Sequence, residues 1–386
     1  MIYFTIRLKS ESTCPDQDPP VTTCLPIVSS HTYSGFCQPT KGQSMKIFRK
    51  FIKRSITVAI AGTLLFSSSV FAQEFNWKFN NGLPENRNES KELDRFASDV
   101  SVATNKKLQI KVYHGGSLGL KNEDVLRWLP TGAAEMGLVW ANYLGRDAPA
   151  MNAVYIQGSV GSTEEHLKAI PVLKDIYAEE LKEWGIVPAG FLALPILYAS
   201  IFCRDEAVNS LEALRTKKLR VWSKDMVETF DKIGVSAQII GQTEMYVALK
   251  TGVVDCAVYP ALYAKTVSLQ EVTGYASYLY PIAGLPYVLG ASEQQWNALP
   301  ASMQSAVKKA ADDLFARSTD YSDDNEKEQK ARQELEQAGI KWLADFPAQD
   351  QRAFLDAAAS TWQTMAEEAG GSAPANRAKI LKAVGR

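Results

Sequence analysis

In TEMYVALKTGVVDCAVYP, Thr243 to Pro260, a helix and a strand follow one another across a single glycine. EMYVALKT reads as the helix, Gly252 as the left-handed residue that caps it, and DCAVY as the strand. The same alternation runs outward. Upstream lies KKLRVW (Lys217 to Trp222), a short strand, then a helix with Val227, Phe230 and Ile233 on its apolar face and Gly234 at its end. FNWKFN (Phe75 to Asn80), LQIKVY (Leu108 to Tyr113) and EMGLVW (Glu135 to Trp140) also read as strands. Leu93, Phe96, Ala97 and Val100 recur at helical spacing between the first two, and a helix through Val125, Leu126 and Leu129 precedes the third. Thr163 to Trp184 is helical, and FLALPILYASIFC (Phe191 to Cys203) is an apolar strand run interrupted by Pro195. Alternation of this kind indicates α/β layers with largely parallel strands.

Ser302 to Gln337 differs. Met303, Val307, Leu314 and Phe315 give it an apolar stripe, but DDNEKEQKARQ (Asp323 to Gln333) is almost wholly polar. As one continuous helix it would be about 50 Å long, enough to cross between two lobes.

The chain has 386 residues, 46% hydrophobic and 22% charged, a globular composition with room for two or three domains. Its N-terminus reads as a processed segment. MKIFRKFIKR (Met45 to Arg54) is basic, SITVAIAGTLLF (Ser55 to Phe66) is apolar but too short to span a bilayer, and SSSVFA ends in small residues at Ala72. These are the three parts of a secretory signal peptide, with cleavage expected after Ala72 and the product expected in the periplasm. Residues 1–44, rich in Ser, Thr, Pro and Cys, read as an upstream extension before an initiator at Met45. Residues 1–72 hold eight Lys or Arg and three Asp or Glu, which leaves 34 basic and 40 acidic residues in 73–386. An acidic balance argues against nucleic acid or an anionic membrane as partner. Cys203 and Cys256 are the cysteines of that part, too few for a disulfide framework and not at metal-ligand spacing. In an oxidising compartment they either pair or stay two buried thiols.

Enzymatic motifs are sparse. GGSLG (Gly115 to Gly119) matches the G-x-S-x-G of a hydrolase nucleophile elbow and lies between a strand and a helix. A hydrolase using Ser117 would need a late histidine, whereas His166 sits in an early helix, so the glycines read as a turn. His114 and His166 are not at metal-ligand spacing, and no acidic calcium loop or Gly-rich nucleotide loop is present, so no metal or cofactor is expected. What remains is Arg220. In KKLRVW, Leu219 and Val221 point one way, and Arg220 and Trp222 the other. A buried guanidinium needs an anion, either an Asp or Glu of the protein or a bound carboxylate that matches its fork. Trp222 and Trp140, each at a strand end, could wall such a site, or be core.

Four spaced motifs together resemble the extracytoplasmic substrate-binding subunits of tripartite ATP-independent periplasmic (TRAP) transporters, of the dicarboxylate-binding type. They are VYHGGSLGLKNEDVLRWLPTGAAEMG, SLEALRTKKLRVW, TEMYVALKTGVVDCAVYP and QQWNALP. The resemblance covers Gln73 to Phe346. It implies a two-lobe periplasmic-binding-protein-like α/β fold with hinge strands and a long helix spanning both lobes. Lobe I would hold 73–197 and 286–325, lobe II 198–285 and 326–386. It further implies a monomer that holds an organic acid between its lobes by Arg220, performs no chemistry, and delivers the acid to a membrane permease. A related binding protein feeding a sensor kinase would look the same. Trp222, Tyr259 and Trp140 are the expected aromatic walls, and Asn81, Asn142 and Tyr198, with Asn80, lie at strand ends facing the expected cleft. The chain also departs from the family. Where many members carry a second arginine it reads LYASIFCRD, with Tyr198 and Ser200 in place of charge and Arg204 offset. Cys256 replaces the usual glycine, and Tyr259 stands where others have Asn or a metal-binding Trp-Asp pair. A second anionic clamp and a bound calcium are therefore not expected, and the aromatic residues suit a monocarboxylate with an apolar or aromatic body better than a small dicarboxylate.

Overall fold

The computed structural model describes residues 74–386; the expected signal peptide and the extension before it lie outside the described residues. The first sheet takes β1 (Phe75–Asn80), β2 (Leu108–Tyr113), β3 (Met136–Val139), β4 (Ile186–Leu192) and, from far downstream, β10 (Tyr287–Ser292), in the order β2-β1-β3-β10-β4. The second takes β5 (Ile196–Cys203), β6 (Leu219–Val221), β7 (Ala237–Ile239), β8 (Cys256–Pro260), β9 (Tyr275–Ala283) and β11 (Lys341–Trp342), in the order β11-β9-β5-β8-β6-β7. Strands 75–80 and 108–113 have the bounds their alternation suggests.

The sheets are mixed rather than largely parallel. β1 runs parallel to β2 and β3, and β6 parallel to β7 and β8, but β10 is antiparallel to β3 and β4, and β5 antiparallel to β8 and β9. The reason is topological. β5 and β10 each enter a sheet directly from the other lobe, so no crossover helix turns them parallel. Pro195 marks the first of these crossings: it breaks Phe191–Cys203 into β4 and β5, which belong to different sheets. The return crossing, Gly284 to Pro286, touches the first where Gly284 N donates to Pro195 O at 3.2 Å. A Cβ at Gly284 would lie 2.3 Å from that carbonyl oxygen, so any side chain would push the two hinge segments apart.

The longer helices are α1 (Asn88–Ala103), α2 (Thr163–Glu180), α3 (Lys224–Lys232), α4 (Gln242–Thr251), α5 (Ala301–Ser318), α6 (Asp324–Gln337), α7 (Ala348–Ala369) and α8 (Ala373–Ala383). Ser302 to Gln337 is not the continuous helix expected from the sequence. α5 ends at Ser318, and α6 starts afresh at Asp324 after a turn. α5 packs on β4 and α1, while α6 packs against Ala261–Ala264 and β11, so the pair does cross between lobes, but through the turn. Polar Ser318 and Thr319 bond back to the carbonyl of Phe315, which closes the helix end. The helix that bridges both lobes unbroken is α7. Phe354 near its start is buried in the second lobe's core, and Trp362 two turns on is buried in the first lobe's core, its indole N–H donating to Ala153 O at 2.8 Å. α8 then packs on α2, so the C-terminal segment is shared between lobes rather than confined to the second.

Cys203 and Cys256 are directly opposed on β5 and β8 and form a disulfide, which settles the alternatives left open by the sequence. It closes a loop across 53 residues, a constraint on the unfolded chain worth roughly 4 kcal/mol by loop entropy. No helix among the described residues is long and apolar enough to cross a membrane.

Candidate functional site

Between the sheets, beside both hinge segments, lies a cavity of about 570 Å³, the open solvent at its mouth included. Arg220, Trp222, Tyr259, Trp140 and Asn142 line it, as the sequence suggests. Arg87, Tyr143, Gln157, Gln242, Tyr263 and Tyr287 line it too, and sequence reasoning missed them.

β6 is three residues long and central between β7 and β8. Leu219 and Val221 are sealed in the second lobe's core. Strand alternation then aims Arg220 at the cavity, where it is 1% exposed. Its Nε donates to Ile240 O at 2.9 Å and its Nη1 to Val258 O at 3.3 Å. Trp222 lies within cation–π range, 5.5 Å from ring centroid to guanidinium carbon. Among the described residues no Asp or Glu pairs with this guanidinium; its titratable neighbours are the phenols of Tyr143 and Tyr259. Burial pushes Arg220 down from the ordinary arginine range, yet an arginine keeps its proton in a protein. The site thus holds a buried cation without a protein counter-ion.

Arg87 provides the contrast. It stands just before α1 in the first lobe, also buried, and grips Glu89 with two bonds, Nη2 to Oε1 at 2.6 Å and Nε to Oε2 at 3.1 Å. Its guanidinium lies 3.5 Å above the Tyr263 ring. Burial opposes the charge on both groups, yet Glu89 raises the pKa of Arg87 and Arg87 holds the Glu89 carboxylate below its usual range.

The aromatic wall comes mainly from the first lobe. Trp140 follows β3 and Tyr287 starts the neighbouring β10, so their rings stack at 4.9 Å, and Tyr143 also stacks on Trp140 at 5.0 Å. Burial raises the pKa of Tyr143, Tyr259 and Tyr287, so all three are neutral phenols. Tyr259 donates to Gln242 Oε1 at 3.1 Å. Three buried polar atoms of the lining have no partner in the protein: Trp140 Nε1, Gln157 Oε1 and Gln242 Nε2.

Three expected residues are elsewhere. Asn81 bonds the Ser90 hydroxyl and His114 Nδ1, each at 2.9 Å, and accepts from Leu83 N at 3.0 Å, so its side chain is spent on the loop leading into α1. Asn80 likewise donates to Leu120 O. The Tyr198 hydroxyl reaches Asn325 Oδ1 at 2.8 Å, on α6 and away from the cavity. Glu244 pairs with Lys121 across the lobes at 3.5 Å, and Tyr246 bonds Glu271. A second contact shuts the lobes over the site: Gln157 N donates to Asp225 Oδ2 at 3.0 Å.

The Ser117 hydrolase reading fails on geometry. His114 is engaged by Asn81 and by Asp94 at 3.1 Å, and His166 by the Tyr155 hydroxyl at 2.8 Å and Leu194 O at 2.7 Å, so neither ring has a nitrogen free for Ser117. His166 has a different consequence. Burial pushes it down to about 4, from 6.5 in the unfolded chain. A depressed histidine adds stability that is complete above pH 6.5 and lost as pH falls towards 4, on the order of 3 kcal/mol for this group. Urea unfolding at pH 7 and at pH 4.5 is expected to show a smaller acid loss in His166→Gln than in the parent; equal losses would refute the assignment.

Two α/β lobes closed over a cavity with an unpaired buried cation define a ligand-capturing protein of the periplasmic-binding type. The chain belongs to the bacterial extracellular solute-binding proteins, family 7, whose sequence profile matches residues 79–369. Among its relatives, the C4-dicarboxylate-binding periplasmic protein DctP of Rhodobacter capsulatus is 24% identical over 331 residues, covering 81% of this chain and 92% of its own. Two solved structures share the fold. The Bordetella pertussis extracytoplasmic solute receptor DctP7, which binds pyroglutamic acid, superposes with a TM-score of 0.71 at 20% identity, over 81% of this chain and 99% of the receptor. A TRAP periplasmic solute-binding protein of Roseobacter denitrificans with bound β-D-glucuronate gives 0.68 at 24% identity, over 80% and 98%.

Proposed function

We propose that the protein captures an organic acid in the periplasm and delivers it to a TRAP-type membrane permease, with Arg220 as the carboxylate clamp. One observation carries this reading: Arg220 is buried in the interlobe cavity without an acidic partner, which is costly unless an anion arrives. The ligands bound by the two solved structures, pyroglutamate and glucuronate, are carboxylates. Export rests on the signal peptide read at Met45 to Ala72. The protein acts as a monomer. Binding favours the closed form because the acid touches Arg220 in one lobe and the Trp140 wall in the other, contacts that separated lobes cannot make together.

The test is a thermal-shift screen against organic acids. A ligand at about 100 times its Kd adds about 2.7 kcal/mol, a rise of several degrees in Tm. At least one carboxylate should give that rise while its amide analogue does not. A screen in which amides shift Tm as much as their acids would overturn the clamp.

A further inference from the structure

Resting on the carboxylate reading, we propose that Glu89 sets the charge class of the ligand, so that the site selects monocarboxylates and rejects dicarboxylates. The cavity lining brings two guanidiniums, Arg220 from the second lobe and Arg87 from the first. Two free arginines in one cleft would suit a dianion. Glu89 removes one of them: both its oxygens bond the Arg87 fork. Tyr263 also covers one face of the Arg87 guanidinium. The phenols of the lining are neutral. The uncompensated charge of the lining is therefore the single one on Arg220.

A ligand with one carboxylate satisfies that charge. A second carboxylate would have to shed its water inside the cavity and would face a guanidinium already committed to Glu89, whose own negative charge repels it. The remaining polar groups of the lining are uncharged. Trp140 Nε1 is a donor, and the carboxamide ends of Gln157 and Gln242 have unpaired atoms. They suit neutral hydrogen-bonding groups, such as a hydroxyl, keto or amide group, on a body lying against the Trp140 and Trp222 rings. Glu89 thus acts as a specificity residue through Arg87.

Calorimetry with pairs of equal carbon count tests this: pyroglutamate against glutarate, and mandelate against phthalate. The parent protein should bind at least one monocarboxylate, and its dicarboxylate counterpart at least tenfold more weakly. Glu89→Gln frees the Arg87 charge and should move that ratio at least tenfold towards the dicarboxylate. A parent that binds the dicarboxylates equally or better, or a Glu89→Gln protein with an unchanged ratio, overturns the proposal while leaving the carboxylate clamp standing. If Glu89→Gln does not fold, the double variant Arg87→Gln/Glu89→Gln keeps the net charge. It should keep the parent's preference, and loss of all binding there would make Arg87 a ligand contact and overturn the proposal. Failure of the parent to bind any of these acids, or any acid of the thermal-shift screen, would instead sink the carboxylate reading itself and this inference with it.

Discussion

Arg220→Ala is expected to weaken binding of the captured acid by about 2–5 kcal/mol, roughly thirty-fold to several thousand-fold. The size follows from burial: the ligand carboxylate would enter a site 1% open at that residue and find no counter-ion. Arg220→Lys should fall between, because an ammonium keeps the charge but loses the planar fork and the bonds to Ile240 O and Val258 O. Calorimetry with unchanged affinity would rule out Arg220 as the clamp.

How far the sequence revealed this site depends on how local each signal was. Strand alternation in KKLRVW was enough to aim Arg220 and Trp222 at one surface, because a period of two leaves no other choice. Gly252 after EMYVALKT announced the α4–β8 unit for an equally local reason, and its φ of 77° is left-handed as the cap requires. Arg87 and Glu89 were not legible. In LPENRNES they look like solvated charges at the start of a helix, and their burial depends on Tyr263 of the other lobe. Asn81 and Tyr198 were misjudged for a related reason. Asn81 directly follows β1 and Tyr198 lies two residues into β5, but nearby polar groups claim each side chain before a ligand can. The apolar stripe of Met303 to Phe315 stops before Ser318, but no glycine or proline between Ser318 and Asp324 marks a break, so only the backbone turn itself revealed that α5 and α6 are separate. The disulfide needed the β5–β8 register, which no spacing in the sequence encodes.

Phe354→Ala is expected to lower the unfolding free energy by about 3–5 kcal/mol, the range for a buried phenylalanine that leaves a cavity. Phe354 is fully buried, with its ring stacked on Tyr280 at 3.9 Å and tilted against Phe230 at 5.1 Å. Those rings come from β9 and α3, so the side chain fastens the start of α7 to the second lobe. Trp362 fastens the later turns of the same helix to the first lobe. An unbroken helix anchored in two cores couples their unfolding, and urea denaturation should therefore stay one transition with an unchanged slope and a lower midpoint. Phe354 does not line the cavity, so ligand affinity measured well below the Tm should stay within a few-fold of the parent. A loss below about 1 kcal/mol would mean the ring is not packed as described. Two separate transitions in the parent protein would mean that α7 does not couple the lobes, and the closing motion would then have to pivot about α7 as well as about the Pro195 and Gly284 crossings.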